Sequence, residues 1–271
     1  VVQKEKNPCP TSGEKSQKTA ERIAPRPFKT RVGKDQRKRM DTQMKNKVKF
    51  LREDLMRVAC KNKKGHIAPS LSCLDILAVL KYDSWFQNDV VILSKAHGCY
   101  GLYAIEADQG RISSEKWEAF DLCGTYEGLG SLGHGLPIAA GIAFGKKLKG
   151  DSGHVYVIVG DGELQEGSNW EALSFIAHHR LTNLTVIVDD NGLQAIEPVR
   201  QVLQHDLHNR FQGWGFEPWI INGHDHEEVL LALLSTPQII IAKTIKGKGF
   251  PALENDPKFH YRIPTEEERR S

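Results

Sequence analysis

Apolar residues follow two rhythms along this chain. Short unbroken runs, Val155-Tyr156-Val157-Ile158-Val159 and Thr185-Val186-Ile187-Val188, read as strands buried on both faces, the pattern of a parallel sheet. Between them, residues 169–180 place Trp170, Leu173, Ile176 and Ala177 on one face of a helix. The alternation continues on both sides. Residues 42–63 predict a helix with Val48, Leu51, Leu55 and Val58 on one face, and a second helix opens at Ser72 or Cys73 and runs through Leu80. A strand over 90–93 ends at Ser94, a helix follows over 100–107, and residues 136–149 form an Ala- and Gly-rich helix able to pack closely on a sheet. Strands over 216–221 and 238–245 flank a helix over 227–234. The pattern predicts an α/β fold: a doubly wound, mostly parallel sheet with helices on both faces.

Composition adds the domain plan. The alternation runs without a linker from about residue 42 to the end, so the 271 residues divide into a tail, 1–41, and one large domain, 42–271. No apolar run approaches the roughly eighteen residues of a membrane span. Charge is uneven: residues 1–64 hold 20 Lys and Arg against 7 Asp and Glu, and residues 65–271 hold 17 against 27. The first forty residues lack hydrophobic periodicity and scatter Pro8, Pro10, Pro25 and Pro27 among Lys, Ser and Thr, the composition of a disordered basic tail. A basic arm attracts phosphate without sequence preference, yet no aromatic interleaving or recognition motif supports nucleic-acid binding here, and a solvated tail is the reading. Cys9, Cys60, Cys73, Cys99 and Cys123 are odd in number and form no Cys-x-x-Cys pair, which disfavours a zinc site or a disulfide framework. With no apolar segment of a secretory signal at the N-terminus, the cytoplasm is the expected location.

The candidate chemistry sits at two predicted strand ends. Gly160-Asp161-Gly162-Glu163-Leu164-Gln165-Glu166-Gly167 follows the first run, and Asp189-Asp190-Asn191 follows the second, thirty positions after Asp161. A strand, helix, strand unit takes about thirty residues, so Asp161 and Asn191 fall at the carboxyl ends of neighbouring strands, where open α/β sheets bind ligands. A carboxylate and an amide oxygen suit Mg²⁺ or Ca²⁺ and suit Zn²⁺ poorly. The glycines let the backbone turn sharply and approach a ligand, and the following helix offers its free amides to an anion. A magnesium diphosphate fits these groups. The plain alternative is a Gly-Asp-Gly turn that only caps a helix.

The spaced pair resembles the thiamine-diphosphate motif, and the residues around it are similar to the N-terminal, pyrophosphate-binding domain of transketolase. Glu171-Ala172 belongs to the same stretch. Lys64-Gly65-His66, Leu93-Ser94-Lys95-Ala96-His97-Gly98, Gly130-Ser131-Leu132-Gly133-His134-Gly135, Lys243-Thr244-Ile245-Lys246-Gly247-Lys248-Gly249 and Lys258-Phe259-His260 resemble further family segments in the family's order, over about residues 42–265.

The resemblance implies a thiamine-diphosphate- and magnesium-dependent transferase of two-carbon ketol units. Asp161, Asn191 and the Leu193 carbonyl would ligate the metal. Backbone amides of Gly162 and Glu163 would meet the diphosphate, and Gly130, Ser131 and Leu132 would lie against the aminopyrimidine. His66, His97 and His260 would surround the reacting carbon and the diphosphate. Glu166 and Glu171 resemble a carboxylate network at a subunit interface, against the reading that they are solvated glutamates in a helix's first turn. The other eight histidines, His178, His179, His224 and His226 among them, are expected to face solvent. The family's pyrimidine-binding domain is missing from this sequence, so the resemblance implies a split enzyme: a separate C-terminal subunit carrying that domain, an α₂β₂ assembly, and a sugar or sugar-phosphate substrate. A decarboxylating thiamine enzyme and a non-catalytic protein retaining the fold are the alternatives. Phe120-Asp121-Leu122-Cys123-Gly124-Thr125-Tyr126-Glu127-Gly128 lacks the His-Pro segment of many transketolases, and His134 stands where glutamine is usual. Because the missing histidine would contact the substrate, its absence argues against an ordinary pentose phosphate as donor.

Overall fold

The computed structural model describes residues 34–121, 131–195, 197–203 and 206–270. Strands β1 (Val90–Leu93), β2 (Val155–Gly160), β3 (Leu184–Asp190), β4 (Trp219–Asn222) and β5 (Ile239–Lys243) form one sheet in the order β1-β2-β3-β5-β4. Every pairing is parallel. Successive residues of a strand serve opposite faces. Val155, Val157 and Val159 of β2 join Val186, Val188, Ile239 and Ile241 in one apolar cluster. Tyr156 and Ile158 join Leu93, Ile187, Ile240 and Ala242 in the other. Two dry faces account for the unbroken apolar runs, because a strand covered on both sides has no polar face to display.

Helices cover each cluster. On one side lie α1 (Lys34–Lys61), α2 (Ile67–Ser72), α3 (Leu74–Tyr82), α4 (Cys99–Asp108), α5 (Ser114–Ala119) and α10 (His226–Ser235). On the other lie α6 (Gly135–Lys149), α7 (Gly167–His179) and α9 (Leu207–Gly213). Short α8 (Val199–Val202) and α11 (Glu266–Arg270) complete the described elements. The doubly wound arrangement expected from the sequence is the one observed, and no helix among the described residues is long and apolar enough to cross a membrane.

Several boundaries differ from expectation. Helix α1 begins at Lys34, eight residues before the helix expected from residue 42; residues 1–33 lie outside the described residues. The helix expected to open at Ser72 or Cys73 begins at Leu74, and a separate six-residue helix with Pro69 in its first turn precedes it. Proline is tolerated there because the first-turn N–H has no intrahelical partner. Histidines 154, 224 and 226 do not face solvent. His154 Nε2 pairs with Thr185 Oγ1 at 2.9 Å, while His224 Nδ1 and His226 Nε2 meet the buried Asp75 carboxylate at 2.7 and 2.8 Å. Arg52 completes that cluster, so α1, α3, α10 and the turn before α10 are joined by one buried charge.

Candidate functional site

Sheet register brings the two motif segments together. Gly160 pairs with Asp189, so Asp161 and Asn191 leave adjacent strands at the same edge of the sheet. The buried Asp161 carboxylate accepts N–H bonds from Gly162 at 2.8 Å and Gly192 at 2.6 Å, clasping the two strand ends. Asn191 Oδ1 accepts from the Leu193 amide at 3.1 Å, and Asn191 Nδ2 donates to Asp189 Oδ2 at 3.3 Å. The amide face of Asn191 is thus turned toward Asp189 and its oxygen toward the loop.

Three carboxylates crowd this edge, and their compensation is unequal. Fully buried Asp189 pairs with buried Lys95 and also accepts bonds from Ser72 Oγ, at 2.6 Å, and Thr244 Oγ1. Burial alone would raise the Asp189 pKa, but Lys95 and these hydroxyls outweigh it and hold it below the usual carboxylate range. Asp190 pairs with Lys243. Asp161 has no ion-pair partner among the described residues. Burial first, then the fields of Asp189 and Asp190, push its pKa up to about 7. The edge therefore keeps one buried carboxylate without a counter-charge, an arrangement that favours a cation. Among the described residues no group of three or more His, Cys, Asp or Glu could hold a metal. A hard ion here would draw on Asp161, Asn191 Oδ1 and the Leu193 carbonyl, an all-oxygen set that suits Mg²⁺ completed by water and phosphate.

The three expected histidines converge. Ring centroids lie 5.9 Å apart for His66 and His97, 5.3 Å for His66 and His260, and 5.3 Å for His97 and His260. His66 sits at the start of α2 with φ 59°, a left-handed conformation that turns its ring toward the others. Tyr261, with 67% of its surface exposed, stands edge-on to His66 with centroids 4.8 Å apart. Burial and neighbouring cations keep all three imidazoles neutral. The His97 pKa falls to about 2 through burial and then Lys95. That of His260 falls to about 4 through burial and then Lys246, and His66 is lowered by the same two causes.

Lys246 links the histidines to the metal-ligand loop, a role its sequence context did not disclose. Almost wholly buried, its Nζ donates to the Gln194 carbonyl at 2.6 Å, the Leu193 carbonyl at 3.4 Å and His260 Nδ1 at 2.8 Å. Burial lowers its pKa to about 8. Glu163 likewise does more than lend its backbone. Its buried carboxylate accepts from Gly160 N at 3.1 Å, Gly133 N at 2.9 Å and Ser94 Oγ, tying the Gly-Asp-Gly turn to the end of β1 and to the glycine loop. Of the two amides expected at the diphosphate, that of Gly162 is already bonded to Asp161.

The remaining candidates are placed less tightly. Gly130 lies outside the described residues, Ser131 is exposed and Leu132 half-buried just ahead of α6. Glu166 and Glu171 are exposed at the start of α7, with the Glu166 stem packed against Gly133. A cavity of about 320 Å³ opens on the other side of Asp161, lined by Asp190, Arg200, His208 and Lys243 among others and by none of the three histidines.

Residues 118–269 match the thiamine diphosphate binding domain of transketolase. The chain is 34% identical over 233 residues to the A subunit of apulose-4-phosphate transketolase from Actinobacillus succinogenes, an alignment covering 75% of this chain and 84% of that one. Against human transketolase it is 35% identical over 223 residues, covering 72% of this chain and 36% of the other. The crystal structure of transketolase from Campylobacter jejuni superposes with a TM-score of 0.72 at 30% identity, over 85% of this chain and 41% of that one. The chain thus spans less than half of a full-length transketolase but most of the shorter Actinobacillus protein. By sequence, fold and the matched domain, it belongs to the transketolase family.

Proposed function

We propose that this chain is the N-terminal subunit of a two-subunit transketolase that binds thiamine diphosphate and Mg²⁺ and moves a two-carbon ketol unit between sugar or sugar-phosphate substrates. The observation that carries the reading is a buried Asp161 with no ion-pair partner among the described residues, clasped to the Asn191–Leu193 loop that Lys246 ties to the cluster of three histidines. Cleavage and transfer of the ketol unit is the chemistry the cofactor supplies when bound. Asp161, Asn191 and the Leu193 carbonyl hold the metal, with Ca²⁺ an acceptable substitute. Gly162, Glu163 and Glu166 would approach the cofactor from one side, and Ser131 and Leu132 from another, with Gly130 outside the described residues.

The histidines have assigned tasks in this reading. An ammonium carries only donors, so the bond from Lys246 fixes His260 Nδ1 as an acceptor and puts the ring proton on Nε2. His66 and His97, also neutral, can donate hydrogen bonds to substrate hydroxyls or accept them. His66 stands edge-on to Tyr261, and the three imidazoles pack on one another.

A pyrimidine-binding subunit completes the active site in an α₂β₂ assembly. The match to most of the Actinobacillus protein, itself named as one subunit of its enzyme, supports this. So do Ile138, Ile142 and Phe175, which leave an apolar face on α6 and α7 for a partner to cover. A cytoplasmic setting accords with the free thiols of Cys60, Cys73 and Cys99. The test is co-purification with the pyrimidine-binding subunit of the same organism, followed by assay with ketose donors and aldose acceptors. The complex should transfer two carbons without releasing CO₂, and the chain alone should be inactive. Carbon dioxide from an α-keto acid donor would assign it to the decarboxylating class instead, and full activity of the chain alone would contradict the split site.

A further inference from the structure

Gln194 carries an unpaired donor at the place where this reading seats a diphosphate. Its Nε2 is shielded from solvent and has no hydrogen-bond acceptor among the described residues. The carboxamide lies directly over Gly162: a Cβ added there would stand 2.7 Å from Gln194 Cγ, 3.3 Å from its Cδ and 3.5 Å from Nε2. Glycine at 162 is what lets the amide approach the turn. A buried N–H left without an acceptor loses its hydration with nothing in return, so such a group in a native fold calls for an explanation.

The backbone holds this side chain in place from both ends. The Gln194 N–H donates to the Glu197 carbonyl at 2.9 Å, and the Gln194 carbonyl accepts from Lys246 Nζ at 2.6 Å. An acceptor that satisfied Nε2 would lie against the Gly162 turn that precedes the 3₁₀ segment Glu163–Gln165. Asp161, whose oxygens accept from the amides of Gly162 and Gly192, is not bonded to Nε2. A compact oxyanion with several terminal oxygens fits the position: it can take one bond from the amide, face the cation and still reach backbone N–H groups of the turn.

We infer that Gln194 is a diphosphate ligand, its Nε2–H donating to a phosphate oxygen of the group seated at Gly162. The inference rests on the diphosphate site proposed above and adds a side chain that the motif does not contain. It also gives the loop after Asn191 a second duty: Leu193 offers a carbonyl to the metal while its neighbour grips the anion the metal accompanies.

Calorimetric titration of the full chain with magnesium pyrophosphate tests this without catalysis or a partner. Wild type should bind, and Asp161→Asn should not. Gln194→Leu, which keeps the bulk and removes the donor, should bind about tenfold or more weakly, the usual effect of losing a hydrogen bond to a charged group. Gln194→Glu, nearly isosteric, should bind more weakly still and provides the test if the leucine variant does not fold. Without ligand, Gln194→Leu should melt no lower than wild type, because it removes an unsatisfied donor; a merely structural glutamine would give a lower melting temperature. Equal pyrophosphate affinity in wild type and Gln194→Leu, with Asp161→Asn still defective, would overturn the role of Gln194 and leave the diphosphate site standing. Failure of wild type to bind at millimolar concentration would remove the site and this inference with it.

Discussion

At the scale of single residues, protonation and charge pairing decide what the site can do. His97 is neutral down to about pH 2 and His260 to about pH 4 in the folded chain, whereas an unfolded histidine titrates near 6.5. A depressed folded pKa contributes stability that is fully present above the unfolded value and is lost as pH falls. Stability should therefore decline from about pH 6.5 downward, by about 1.4 kcal/mol per pH unit for His97 alone. Urea midpoints measured from pH 8 to pH 4.5 should fall in wild type and fall less steeply in His97→Asn; parallel slopes would refute a buried neutral imidazole. His66, His97 and His260 could be found from sequence because each sits in a distinctive short string. Lys95, Lys246 and Gln194 could not be given roles that way. Lys95 and Lys246 lie inside quoted strings, but their importance comes from groups distant in the chain: Asp189 for one, and Gln194 and Leu193 for the other. The unpaired state of Gln194 Nε2 is a property of space alone.

At the scale of elements, one buried ion pair fastens three of them beneath the site. Lys95 Nζ, just after β1, reaches Asp189 in β3, Ser72 Oγ at 3.0 Å and the Pro69 carbonyl at 2.9 Å in α2. Removing one member leaves the other charge buried, which costs about 3–5 kcal/mol. Lys95→Met should therefore lose about 3–5 kcal/mol of unfolding free energy in urea titrations, and the double variant Lys95→Met with Asp189→Leu should recover much of the loss. A double variant no better than the single would show that the charges do not compensate each other. The strands were legible because a sheet dry on both faces writes itself as continuous apolar runs, and β1 matches its expected span residue for residue. Helix α2 was not, since all six of its residues are buried and show no amphipathic period. Helices α5 and α9, of six and seven residues, are too short for periodicity to stand out. Strand β4, at the sheet edge with Trp219 and Ile220 exposed, starts three residues later than its apolar run suggested.

For the whole molecule, the parallel sheet brings distant segments to one edge: Lys95 and His97 after β1, Asp161 after β2, Asn191 after β3 and Lys246 after β5. The order β1-β2-β3-β5-β4 sets the metal-ligand candidates after the neighbouring inner strands β2 and β3, with His97 following β1 and Lys246 following β5 on either side. In the proposed assembly the pyrimidine-binding subunit would cover this edge. The most direct test of this account is the position of a divalent ion. Crystals of the complex with that subunit, grown with thiamine diphosphate and Mn²⁺ in place of Mg²⁺, would locate the ion by its anomalous scattering. The account predicts one strong peak per chain within coordination distance of Asp161, Asn191 Oδ1 and the Leu193 carbonyl, with diphosphate oxygens completing the shell. A peak elsewhere, or cofactor density with no ion between those two strand ends, would contradict it.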